Sequence, residues 1–298
     1  MANIHITASY CKTLAQRPTP AVRERYVQYY KDLHNLYEKQ LSPETFYEGP
    51  GYSFTELGTS VLDECEKDGE LADIDLMVVV YWAHEFDPDH SSCGPYFAEK
   101  YQIKGQIFDV CDQGTISLCT GLMIIKQYLQ SETYKKAILL ALEQTSIPRN
   151  KLDHCIIPSK STASVFVLQK NIERKAIELL DAEIISEHEI FNKKFNPISK
   201  IDEKIANYSE QKGKNNFTTL LVNKRSDFFF KNYQYNNHQQ NSKYFICYEK
   251  LTNENGYYPV TSYITQLLHS DADPHEKIVI ITDEDTSTLN TSCITLKI

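Results

Sequence analysis

No stretch of this 298-residue chain is apolar for anything near the roughly 18–20 residues that a bilayer-spanning helix needs. The longest apolar runs, near 76–83 and 136–142, have the length of strands. The first ten residues show neither a basic leader nor a long apolar segment, so no secretory signal and a cytoplasmic location are expected. An excess of cations is missing too. The formal net charge is -9, and a surface of that sign repels phosphates and anionic headgroups on average, which argues against nucleic-acid and membrane partners. Close cysteine pairs are absent: Cys11, Cys65, Cys93, Cys111, Cys119, Cys155, Cys247 and Cys293 are scattered without one C-x-x-C, against the spacing of structural zinc. Without a secretory context they are not expected to form a disulfide framework and read mostly as small buried apolar residues. Gly49-Pro50-Gly51 lacks the Lys-Ser/Thr ending of a phosphate loop and reads as a turn.

What is present is an alternation of apolar runs and amphipathic stretches. With 41% apolar residues the chain can bury a large core as one big domain or two of ordinary size. Residues 3–8 alternate like a strand, and 22–41 carry tyrosines and leucines at helical spacing before Ser42-Pro43. A helix is predicted over 54–68, with Leu57, Val61, Leu62 and Cys65 on one face. Buried strands are predicted over 74–81, 106–110, 136–142 and 164–168, with helices over 94–101 and 112–130 between them. This alternation predicts a mainly parallel α/β sheet. Beyond it, 171–205 reads as charged and moderately helical, 207–216 as a polar linker, and 218–222 as a strand. The second half of 257–268 reads as helical, and 277–282 and 292–298 as a final strand pair around the turn Asp283–Thr286. A boundary near residue 172 divides the chain into an N-terminal half, 1–172, and a shorter C-terminal half, 173–298.

The segment QIFDVCDQGTISLCTGLMIIKQYLQ, residues 106–130, places a tight turn between a buried strand and a helix. The N–H groups and dipole of such a helix start can lower a thiol's pKa and stabilise an oxyanion. With LADIDLMVVVYW at 71–82, KKAILLALEQTS at 135–146, SKSTASVFVLQ at 159–169 and EKIVIITDEDTSTLNTSCITLKI at 276–298, it resembles the 3-oxoacyl-carrier-protein synthase III branch of the thiolase-like condensing enzymes. The resemblance runs from about Phe54 to Ile298. It implies two pseudo-twofold-related βαβαβαββ halves in five α-β-α-β-α layers, no cofactor, and dimerisation through the first half. It also implies a cysteine at the helix N-terminus that takes an acyl group, assisted by a histidine and an asparagine.

Those three positions are altered in this chain. Counted from Phe108-Asp109-Val110 the cysteine falls on Gly114, and counted back from Gln127-Tyr128 on Thr115. The histidine position falls on Lys224, and NHQQN at 237–241 offers His238 instead. The asparagine becomes Tyr257, and the glycine-rich closing turn becomes Asp283-Glu284-Asp285-Thr286, a poor wall for an acyl pocket. The resemblance therefore extends to silent subunits of condensing enzymes: chain-length factors, and the cysteine-less subunit of the alkylquinolone heterodimer, whose turn Asp109-Val110-Cys111-Asp112 resembles. It implies no activity alone and pairing with an active paralogue in a heterodimer or heterotetramer, with acyl carrier protein or acyl-CoA reached through that partner. Two alternatives stand beside it: an active acyltransferase using Cys111 with His238 as base, and a non-catalytic acyl- or carrier-protein-binding module. Two clusters, His84, Glu85, Asp87, Asp89 and His90, and His269, Asp271, Asp273 and His275, lack H-E-x-x-H spacing and read as solvated loops, so no metal is expected.

Overall fold

The structure, a computed structural model, describes residues 2–15, 17, 24–36, 51–81, 93–111, 113–145, 160–172, 176–186, 203–204, 207–208, 218–222, 264–265, 268, 278–285 and 290–298. These include helices α1 (Glu24–Leu36), α2 (Phe54–Lys67), α3 (Cys93–Lys100) and α4 (Ser117–Leu129). The strands are β1 (Ile4–Thr13), β2 (Leu76–Tyr81), β3 (Gln106–Val110), β4 (Lys136–Glu143), β5 (Thr162–Lys170), β6 (Ile177–Ile185), β7 (Thr218–Val222), β8 (Ile278–Glu284) and β9 (Thr291–Lys297).

Period-two alternation along β2 and β4 gives each half of the strand to a different helix layer. Met77, Val79 and Tyr81 with Ile138, Leu140 and Leu142 face α2 and α3, meeting Phe54, Leu57, Val61, Leu62, Cys65 and Phe97. Leu76, Val78 and Val80 with Ala137, Leu139 and Ala141 face α4, meeting Leu118, Leu122, Ile125 and Leu129. Every β2 residue is buried, which is why the run has no polar alternation. The first turn of α2 is fixed by a capping box, with Ser53 Oγ accepting from Glu56 N at 3.1 Å and Ser53 N donating to Glu56 Oε2 at 2.9 Å.

The strand order is β3-β2-β4-β5-β1-β6-β9-β8-β7. Read outward from the central β1–β6 pair, the two sides repeat. An antiparallel hairpin strand comes first, β5 or β9. Its partner follows, β4 or β8, and then a strand parallel to that partner, β2 or β7. The sheet is therefore mixed rather than mainly parallel, because the β4–β5 and β8–β9 hairpins reverse the direction of the parallel strands beside them. Helix α4 packs on β2 and β4 from one side and on β6 from the other, so it is the middle layer.

Three expectations change. Residues 177–185 form strand β6 instead of part of a helical segment; the charges of IELLDAEII lie at partly exposed sites while Ile177, Leu179, Ala182 and Ile185 are buried, with a bulge between Leu179 and Asp181. Strand β1 runs on to Thr13, paired along its length with β5. In α1 only Tyr26 is buried; Tyr29, Leu33 and Leu36 of the tyrosine-rich stripe are exposed.

Contact across α4 is also ionic. Lys126 Nζ donates to Leu180 O at 2.6 Å and to Asp181 Oδ1 at 3.0 Å, while Lys204 bridges Asp181 and Glu183. Burial opposes the charge of Asp181, but hydrogen bonds from Lys204 and Lys126 outweigh it and hold its carboxyl below the usual range.

Two stability predictions follow from these contacts. Gly121 lies where α4 crosses the sheet, and a Cβ there would stand 2.5 Å from Leu139 Cδ1 and 2.7 Å from Val80 Cγ1. Gly121→Val should cost about 1–3 kcal/mol in urea unfolding with an unchanged m-value. A depressed folded pKa at Asp181 means stability present above the unfolded value and lost as pH falls through the folded one. Asp181→Asn should therefore destabilise at neutral pH and flatten the loss of stability below about pH 4, as read from denaturation midpoints across pH.

Candidate functional site at the start of the central helix

Strand β3 ends at Val110, and the chain must turn within a few residues to enter α4. Gly114 makes that turn with φ +56°, a backbone conformation that costs residues with a Cβ about 1–2 kcal/mol. Gly114–Ile116 form one 3-10 turn that runs directly into Ser117–Leu129. Inside this turn Ser117 Oγ donates to Gly114 O at 2.9 Å, and Thr120 Oγ1 donates to Gln113 Oε1. Neither Gln113 nor Ile116, the residues flanking the turn and the helix, caps it through a side chain.

The cap comes from the other half of the chain. Asp285, the residue after β8, is fully buried, and its Oδ2 accepts a 2.8 Å hydrogen bond from Thr115 N. The backbone of Asp285 is set by the turn to β9, with its N–H donating to Asn290 O at 2.9 Å. A carboxylate on an amide of the 3-10 turn that runs into the 13-residue helix meets an otherwise unpaired N–H group and lies at the positive end of the dipole. A charge-assisted bond of this kind contributes about 1.5–3 kcal/mol.

Of the residues singled out in the sequence, Gly114, Thr115 and the Asp283–Asp285 strand end are brought together here. Gly114 has no side chain. Thr115 is buried, and among the described residues its hydroxyl has no hydrogen-bond partner. Cys111 is half-buried at the end of β3, ahead of the left-handed turn. Cys119 is the third residue of α4; its Sγ donates to Glu183 O at 3.3 Å, and burial pushes its thiol up. Lys224, His238, Tyr257 and both His/Asp clusters lie outside the described residues. Among the described residues no group of three or more potential metal ligands occurs, and no helix is long and apolar enough to cross a membrane.

The sequence marked 283–286 as a charged wall but did not identify Asp285 as the helix cap. The available signal was indirect: Gly114 and Asp285 are both exchanges against the resembled family, at two distant places in the chain that meet only in the fold.

Neither a protein-family model nor a curated protein matches the chain. Solved structures do. The tetronic acid condensing enzyme AbyA1 matches with a TM-score of 0.62 over 98% of this chain and 99% of its own, at 11% identity. OleA of Xanthomonas campestris with cerulenin bound matches with a TM-score of 0.61 over 100% of this chain and 98% of its own, also at 11% identity. The fold is thiolase-like. At such identities the likeness is one of architecture, and it extends over nearly the whole of both chains.

Thiol reactivity tests the environment of the cysteines. Burial raises the Cys65 thiol to about 12 and raises Cys119 further, and Cys93 and Cys293 are also buried. Native-state alkylation followed by peptide mass spectrometry should modify the half-buried Cys111 and Cys11 well before these four. Early modification of Cys119 would contradict the packing of α4.

Proposed function

We propose that this chain is a catalytically silent subunit of a condensing enzyme. It would pair with an active paralogue in a heterodimer or heterotetramer that makes a polyketide, fatty-acid-derived or other specialised metabolite. The supporting observation is the start of α4. In the thiolase-like resemblance this is the nucleophile's place, and here a left-handed glycine and a buried threonine occupy it, with the Thr115 amide bonded to Asp285. Acyl transfer needs both a nucleophile and free N–H groups for the oxyanion of the tetrahedral intermediate. Neither is offered.

The same geometry weighs against the displaced nucleophile. Cys111 precedes the left-handed residue, so an acyl group on it would have to reach past Gly114 to an amide that Asp285 already holds. A partner role has a surface to act through. Strand β3 is at the edge of the sheet, and Tyr96 of the adjacent α3 is exposed. Continuation of the sheet from such an edge is a common way for two chains to join. Acyl carrier protein or acyl-CoA would then reach the assembly through the active partner.

Incubation with radiolabelled acyl-CoA, alone and after co-expression with the paralogue, tests the reading. The expected outcome is no covalent label on this chain in either case and label on the paralogue in the complex. Stable label on this chain that disappears in Cys111→Ala would overturn it.

A further inference from the structure

We infer that Asp285 is an internal ligand whose carboxylate permanently fills the anion site at the start of α4, and that this carboxylate and the bare Cα of Gly114 require one another. The inference deepens the silent-subunit reading and takes its functional meaning from it, but the contacts on which it stands do not depend on acyl chemistry.

The steric part is direct. A Cβ built on Gly114 would lie 1.9 Å from Asp285 Oδ2, 2.5 Å from Cγ and 2.9 Å from Oδ1, so the whole carboxylate stands where a side chain would begin. The carboxylate has little room to yield. It sits on a short side chain, the residue is fully buried, and its backbone is held by the hydrogen bond to Asn290 O directly after the β8–β9 ladder. A cysteine restored at 114 would therefore meet Asp285 before it met any substrate.

The electrostatic part explains why the space holds an acid. The start of α4 is buried between the two halves and receives no side-chain cap from Gln113 or Ile116. An anion there satisfies the Thr115 N–H and the helix dipole together. Thr115 adds a second sign of a polar site: its hydroxyl oxygen is buried in a residue only 3% exposed and has no partner among the described residues. A substrate's thioester carbonyl or carboxylate would compete for the same amide. With Asp285 in place the site holds its anion through a covalent tether and is always occupied, as an active subunit's site is only while loaded.

The test is a double-substitution cycle combined with chemical rescue. Asp285→Ala removes the carboxylate and keeps the Cβ, and should lower Tm by about 2–5 °C. Formate, which replaces the missing group, should restore at least half of that loss. Sodium chloride at equal ionic strength should not, and the unaltered protein should not respond to formate. Gly114→Ala should lower Tm at least twice as far in the unaltered background as in Asp285→Ala, the remainder being the left-handed backbone. If Asp285→Ala does not fold, Asp285→Asn keeps the volume and a neutral acceptor. Amide exchange at Thr115 should then be at least several-fold faster than in the unaltered protein. Additive losses at 114 and 285 without formate rescue, or unchanged Thr115 exchange in Asp285→Asn, would overturn the inference. Those results would leave the silent-subunit reading standing. Acyl label on the unaltered chain would remove that reading and leave the cycle intact.

Discussion

Helix α4 is buried between the two halves of the sheet, so the unpaired N–H groups of its first turn cannot be left to water. Much of the molecule's particular chemistry follows from that one requirement. A surface helix would be capped by a nearby serine or aspartate. Here the turn that feeds the helix is too tight to offer one, because β3 ends at Val110 and the left-handed Gly114 already opens the first turn. The acceptor therefore comes from the far end of the chain, where β8 delivers Asp285 to the same point. At the other end the constraint recurs with opposite sign. Lys126, in the last turn of α4, places a cation near the negative end of the dipole and ties it to Leu180 O and Asp181 of β6. Both ends of the middle helix are thus tied to the second half of the chain.

A buried helix start that needs an anion suits either catalysis or structure, and the difference lies in whether the anion can leave. A thiolate or a developing oxyanion is a transient charge, and the site is worth most when it is empty beforehand and ready. A carboxylate fixed on the backbone gives its full stabilisation to the folded state and leaves none for a transition state. On the silent-subunit reading proposed above, the exchange at this site would move free energy from turnover to folding. It also accounts for the pairing of changes. Glycine at 114 alone would leave a buried amide unpaired, and aspartate at 285 alone would clash with any side chain at 114.

The parts of the fold written in local pattern were legible in the sequence. The all-apolar run of β2, the bounds of β3 and β7, and the buried face of α2 through Leu57, Val61, Leu62 and Cys65 depend on short-range periodicity and burial. Strand β6 was not legible, because its bulge breaks the alternation and its Glu178, Asp181 and Glu183 sit at ladder positions whose charges meet Lys297, Lys126 and Lys204. No local pattern reveals that compensation. The stripe on α1 reads as a packed face because tyrosine and leucine at helical spacing usually are one, yet among its described residues only Tyr26 is buried. At the site, the glycine at 114 and the acidic turn at 283–286 were each visible as exchanges. Their contact was not, since long-range pairing is a property of the closed fold.

The pseudo-symmetry of the fold sharpens what is special about Asp285. Strand β4 ends with Glu143 opposite Thr162 on β5, and β8 ends with Glu284 opposite Thr291 on β9. The next residue is Gln144 in the first half and Asp285 in the second. Both side chains are buried and both reach the start of a helix. Gln144 Nε2 donates to Tyr52 O, just ahead of α2, a helix whose own Ser53–Glu56 box already satisfies its first amides. Asp285 accepts from Thr115 N at a helix that has no such box. The same backbone position thus carries a donor where the helix is self-capped and a charged acceptor where it is not. A neutral amide would fit either end by size, so the carboxylate in the second half answers to the electrostatics of the buried α4 start rather than to the architecture the two halves share.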